Sequence, residues 1–235
     1  MRTGIRWALA LCVWPISAVA MSQTIDWAAL AQDPTFQFTE PARNRIVWVD
    51  SPHTNERPAG MPIDTIVLHH TASSNLRGTI RWFTMPESQV SCHFTIGKSG
   101  GIVQMLSTYR RGWHAGASVD AYGRQRVNDF SVGIEIVNMG DGKDPYTEEQ
   151  LDAVEHVVAM LMRRHPIRAI VSHEFIATPE GRKNDPINFP WERMERFGVP
   201  LFYGKMSAWK GPKLPLPLPP LPERPFDKNV KPPQG

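Results

Sequence analysis

Cysteine is scarce. Of two in 235 residues, Cys12 lies in an apolar N-terminal stretch and Cys92 stands alone in the remainder, which excludes an internal disulfide even in an oxidising compartment. An excess of one charge is also missing. The formal net charge of +3 falls to +1 once Arg2 and Arg6 are removed with that stretch, too little to argue for nucleic acid as a partner. Long apolar runs are absent as well: Trp7 to Ser17 is too short for a hydrocarbon core of about 30 Å. What remains is enough chain for one good-sized domain with appendages. A core of about 150 residues buries roughly 70% of its unfolded surface, so no metal or disulfide is needed merely to hold it together.

The N-terminus has the layout of a cleaved export signal. Arg2 and Arg6 form a positive region, Trp7 to Ser17 an apolar one, and Ala18-Val19-Ala20 an A-x-A site, so residues 1–20 are expected to be removed. Leu11 is too large to precede a lipidated Cys12, which argues against an outer-membrane lipoprotein. A periplasmic or secreted protein follows, with no transmembrane segment after cleavage. At the other end, residues 205–235 ("KMSAWKGPKLPLPLPPLPERPFDKNVKPPQG") are rich in proline and lysine without helical or strand period, and read as a polyproline-II tail, a spacer in preference to a sticky basic arm.

Residues 21–62 read as an N-terminal wrap, with a short helical pattern from Trp27 to Ala31 and then the irregular "VDSPHTNERPAGMP". The main domain is expected at 63–204. There "IDTIVLHH" is a nearly continuous apolar run, as for a strand covered on both faces, ending in two histidines. Leu76, Ile80 and Phe83 mark one face of a helix, and "CHFTIG" and "GIVQML" flank a turn as a hairpin. "SVGIEIV" is another buried strand. Thr147 and Gln150 form a capping box that opens a helix whose apolar face runs through Leu151, Val154, Val158, Leu161 and Met162 until Pro166. "RAIVSH" reads as a strand ending at His173, and "WERMERF" as a last helix. The fold class is α/β: a central mixed sheet flanked by helices, in a single domain.

Two motif matches fail on context. "GKSGG" (97–101) fits G-x-S-x-G, but a strand follows it where a nucleophile elbow needs a helix, so Ser99 is a hairpin residue. "HEFIA" (173–177) lacks the second histidine of a zinc-protease helix. The polar residues at predicted strand ends are of more interest. His69 or His70, His173 and Asp185 supply two imidazoles and a carboxylate, three protein ligands for Zn²⁺ with one position left open. Alternation sends His69 and His70 to opposite faces, so one of them faces the metal, and spacing does not say which. Glu135, an acid amid Val132, Ile134, Ile136 and Val137, is paired with a basic residue, protonated or functional. Lys183 is either solvated or aimed at an oxyanion.

Read in order, "IVLHHTA", "SCHFTIGKSGGIVQML", "GWHAG", "NDFSVGIEIVN", "YTEEQLDAV" and "VSHEFIATPEGRKNDP" resemble the zinc-dependent N-acetylmuramoyl-L-alanine amidases of the amidase-2 family, which includes the peptidoglycan recognition proteins. "SPHTNERPAG" resembles the periplasmic and outer-membrane branch. The resemblance implies a mixed sheet with helices on both sides, a Zn²⁺ ion in a cleft, and hydrolysis of the amide joining N-acetylmuramic acid to L-alanine in peptidoglycan or muropeptides. It assigns His69, His173 and Asp185 to the metal, leaves His70 structural, makes Glu135 and Lys183 catalytic, and places His114 and Asn128 against substrate. A monomer is expected. Three departures stand out: Cys92 replaces a tyrosine that some members carry, Ile187 follows "DP" where glycine is usual, and the gap from His173 to Asp185 is long. The competing reading is a peptidoglycan-binding protein that does not cut.

Overall fold

The computed structural model describes residues 40–222. The signal sequence, the helical pattern at Trp27 to Ala31 and the last part of the proline-rich tail lie outside the described residues. The elements are β1 (Ile46–Trp48), β2 (Thr54–Glu56), β3 (Thr65–His70), α1 (Leu76–Thr84), β4 (Phe94–Ile96), β5 (Ile102–Gln104), β6 (Arg110–Gly112), β7 (Ser131–Ile136), α2 (Glu148–Arg164), β8 (Ala169–Ser172), α3 (His173–Ile176), α4 (Glu192–Glu195) and β9 (Leu201–Phe202).

Seven strands form one sheet in the order β1-β5-β4-β7-β3-β8-β9, and β2 pairs with β6 in a separate ribbon. Only the β4–β5 hairpin is antiparallel within the large sheet, so the expected mixed sheet is present. β3 sits between β7 and β8 and is buried along almost its whole length, which is why its sequence is a β-branched run without polar alternation.

The two faces are covered differently. On one, Ile66, Leu68, Ile134 and Ile136 pack under α2, whose buried stripe is the predicted Leu151, Val154, Val158, Leu161 and Met162. The Thr147–Gln150 capping box forms as read, Glu148 and Glu149 occupy the positive end of the helix, and Gln150 Nε2 donates to Val137 O (2.7 Å), tying α2 to the end of β7. On the other face, α1 buries Leu76, Ile80 and Phe83 against Cys92, Val103 and Met105. Beside it Val67, Val171, Phe175 and Phe202 form a second apolar cluster.

Three expectations change. His173 does not end a strand: β8 stops at Ser172, whose side chain accepts from Phe175 N, and His173 opens the single turn α3. The wrap is not merely draped over a domain starting at Ile63, because β1 adds the edge strand of the main sheet. The tail is not a free spacer as far as Leu216. Met206, Trp209, Leu214 and Leu216 pack on the Phe175–Phe202 cluster, and Leu216 N donates to Ala121 O (2.8 Å). Its apolar residues, spaced between prolines without a helical or strand period, find a ready-made surface instead of a core of their own.

Candidate active site

The C-terminal ends of β3, β7 and β8 open into a cleft of about 510 Å³, the usual place for a site on an α/β sheet. Its walls include Trp82 and Phe83 of α1 on one side and Lys183, Asn184 and Asp185 on the other, with His114, Glu135 and His173 between them.

Three side chains converge where His173 and Asp185 border the cleft. His69 Nδ1, His173 Nδ1 and Asp185 Oδ2 lie 3.0, 3.1 and 3.1 Å from one another, all buried. Atoms held tetrahedrally about 2.0–2.1 Å from a Zn²⁺ ion stand roughly 3.3 Å apart, so the triangle has the right size. Its chemistry also fits. The other nitrogen of His173 faces Ala115 O (3.2 Å), which only accepts, so a neutral His173 carries its proton on Nε2 and turns a lone pair towards Asp185. Burial, then the neighbouring His173, push His69 down to about 4, keeping it neutral. Burial alone would raise Asp185, but the two imidazoles hold it well below the usual carboxylate range, so it is ionised. Two imidazoles and one carboxylate directed at one point form a donor set for a divalent cation.

Alternation along β3 resolves the histidine pair. His69 turns to the α1 face and the triangle, whereas His70 turns away and its Nδ1 accepts from Ile187 N (3.2 Å). The backbone N–H at Ile187 does what a glycine's would, and the left-handed residue of that loop is the next one, Asn188 (φ +52°). Cys92, where some relatives carry a tyrosine, is fully buried below the cleft and supplies no group to it.

Glu135 projects from β7 beside the triangle. No salt bridge reaches it among the described residues, and its Oε2 is shielded from solvent without a partner. Burial, then the nearby Asp185, raise its pKa well above the ordinary carboxyl value, while Lys183 pulls the other way. Lys183 is exposed on the opposite wall.

The two expected substrate contacts, Asn128 and His114, are both buried. Asn128 is buried behind the cleft wall, with Oδ1 accepting from His114 N (3.2 Å) and Ala115 N (2.8 Å). His114 does border the cleft, yet both ring nitrogens face protein: Nδ1 lies 3.1 Å from His69 Nε2, and Nε2 lies 3.4 Å from Ser131 Oγ. Their "WHAG" and "NDF" contexts marked both as site residues without saying on which side of the wall they stand.

Other residues of the site were not singled out from the sequence. Arg57 of the "NERP" stretch donates to the carbonyls of Thr108, Asn128, Asp129 and Ser131 and so holds the approach to β7. Arg182 donates to Ala115 O (3.0 Å) and Ala117 O (2.8 Å). An arginine that bonds chiefly to backbone carbonyls leaves no pattern of side-chain types to find.

Residues 59–188 match the family described as N-acetylmuramoyl-L-alanine amidase. The chain is 30% identical over 166 residues to the 1,6-anhydro-N-acetylmuramyl-L-alanine amidase AmpD of Haemophilus influenzae, covering 62% of this chain and 88% of that protein. A crystal structure of AmpD superposes with a TM-score of 0.52 at 30% identity, over 68% of this chain and 95% of that one. The N-acetylmuramyl-L-alanine amidase AmiD from E. coli, solved with the substrate anhydro-N-acetylmuramic acid-L-Ala-D-gamma-Glu-L-Lys, superposes at 0.53 with 29% identity, over 62% of each chain. With its family motifs gathered in one cleft of a matching fold, this chain belongs to the N-acetylmuramoyl-L-alanine amidase (amidase-2) family.

Proposed function

We propose that this amidase is a zinc enzyme of the periplasm that cleaves the bond between the lactyl carbonyl of N-acetylmuramic acid and L-alanine in peptidoglycan or its muropeptides, acting as a monomer. The observation that carries the reading is the buried triangle of His69, His173 and Asp185 beside an unpaired Glu135 in one cleft. The three triangle residues would hold Zn²⁺, which when bound polarises a carbonyl and acidifies water.

The chain's own groups supply the proton traffic. Glu135 takes a proton from the attacking water as oxygen adds to the amide carbon, then returns it to the leaving nitrogen as the C–N bond breaks. The products are the muramyl carboxylate and the free α-amine of the stem peptide. A carboxyl that binds protons more tightly than usual suits this double duty, because it must both accept and donate. Lys183 places an ammonium near the carbonyl oxygen as its negative charge develops.

The signal-like residues 1–20 support export, and no helix among the described residues is long and apolar enough to cross a membrane. A binding protein that does not cut has less to recommend it, since it has no need of a complete ligand triangle beside a free carboxyl. Mass spectrometry of muropeptides treated with the purified protein, with and without a chelator, tests the proposal. Free stem peptide in the untreated sample alone is expected; intact muropeptide in both sinks it.

A further inference from the structure

One tetrapeptide stands behind both candidate metal histidines. Ala115 O accepts from His173 Nε2 (3.2 Å), and the His114 ring, one residue earlier, meets His69 Nε2 (3.1 Å). The loop Trp113–Gly116 is itself pinned, because Asn128 Oδ1 accepts from both His114 N and Ala115 N. Asn128 is fixed in turn, since Arg57 donates to its carbonyl (2.9 Å) and to Ser131 O (2.7 Å). From the outside, Arg182 closes on Ala115 O and Ala117 O.

The slot for the His114 ring is cut by two glycines. A Cβ on Gly133 would lie 2.6 Å from His114 Cγ and 2.8 Å from Cys92 Sγ, closer than real contacts allow. A Cβ on Gly112 would come within 3.3 Å of His114 Cδ2 and 2.8 Å of His93 Cε1. The ring can therefore lie against β6 and β7 and reach His69 only because both strands lack a side chain there.

Proton placement then follows link by link. If His69 gives its Nδ1 lone pair to the metal, its proton is on Nε2 and points at His114 Nδ1, which must accept. His114 then carries its own proton on Nε2, facing Ser131 Oγ (3.4 Å).

We infer that the Trp113–Gly116 loop, with His114 and Asn128 as its working parts, sets the tautomer and aim of both metal histidines, so these two residues position the metal site instead of binding substrate. This rests on the reading of His69, His173 and Asp185 as ligands. Partners behind metal-bound histidines typically carry 10–100-fold in metal affinity, through the orientation and basicity of the ligand.

The test uses the full-length protein and zinc, with affinity measured by competition against a chromophoric chelator. His114→Leu and Asn128→Leu are expected to weaken zinc by about 10–100-fold, with His114→Asn, which keeps an acceptor near the Nδ1 position, recovering most of the loss. Because a buried change can unfold the chain, two further arms are needed. Arg182→Met, at the surface, is expected to weaken zinc severalfold with an unchanged melt of the metal-free protein. Proton–nitrogen correlation spectra of the wild-type zinc form are expected to show His69, His114 and His173 all protonated on Nε2. His114 protonated on Nδ1, or folded loop variants that bind zinc as tightly as wild type, overturns the inference. Zinc binding that survives His173→Ala together with Asp185→Ala would instead overturn the ligand reading beneath it.

Discussion

Glu135 and His69 are direct register partners on the parallel strands β7 and β3, so their side chains leave the sheet on the same face. The acid and the innermost histidine of the triangle are thus held side by side by backbone hydrogen bonds, without a flexible loop between them. A proton acceptor placed this way does not depend on substrate to assemble it. Glu135→Gln keeps the shape and removes the basicity; turnover of muropeptide is expected to fall on the order of 10²–10⁴-fold while bound zinc, measured by elemental analysis, stays near one per chain. A variant with near-normal turnover would remove Glu135 from the mechanism.

Lys183 faces the same cleft from an exposed segment between His173 and Asp185, and its loss leaves no buried charge behind. Lys183→Met is expected to lower kcat by about 10²–10³-fold with a smaller change in KM, the pattern of a contact made mainly in the transition state. Steady-state kinetics on a soluble muropeptide separate the two constants. A rise in KM with kcat intact would make Lys183 a substrate anchor only.

Acid should weaken the fold through His165. It is buried, its Nε2 is 2.9 Å from Thr108 Oγ1, and burial, then Arg57 and Arg164, push its pKa down to about 4. An unfolded histidine titrates near 6.5, so between about 6.5 and about 4 the unfolded chain holds a proton that the folded chain refuses. Stability therefore rises with pH across that window and is lost as pH falls through it. His93, pushed to about 3 by burial and then Arg57, adds a contribution of the same sign. His165→Gln should flatten the slope of Tm against pH in this window; the same slope as wild type would assign the acid limb to other groups.

The proline-rich segment should be worth measurable stability. Trp209 packs edge-on to Phe175 and at 5.2 Å from Phe202, and its Nε1 donates to Pro212 O (3.0 Å). A partly buried tryptophan loses less than a core one on truncation, so Trp209→Ala is expected to cost about 2 kcal/mol. Urea unfolding checks this, and a midpoint equal to wild type would restore the free-spacer reading.

How far the sequence could be read depended on how local each cause was. The α2 boundaries were legible because the Thr147–Gln150 box and Pro166 act within a few residues. β3 was legible because a strand covered on both faces must be apolar throughout. The end of β8 was misplaced by one residue because the Ser172 cap, which turns His173 into a helix, competes with a β-branched run that reads as strand to its last residue. His69 was separated from His70 by resemblance, and only the sheet's own alternation gives the physical reason. Arg57 and Asn128 act on backbone groups far along the chain, and no periodicity encodes such a bond. The tail's packing was hidden for the opposite reason: its composition describes what it cannot do alone, not what surface awaits it.

The distance along the chain between His69 and Asp185 has a consequence for when the metal can be taken up. They are 116 positions apart, and β8, which delivers His173, docks beside β3 after the intervening helices and strands have been made. Such long-range parallel pairings come late and slowly in folding. During synthesis no two corners of the triangle can meet until the chain has emerged past its second histidine, and the third follows twelve residues later. If the triangle holds Zn²⁺ as proposed, loading is a step for the finished sheet, and capture of the ion would report that β3 and β8 have found each other.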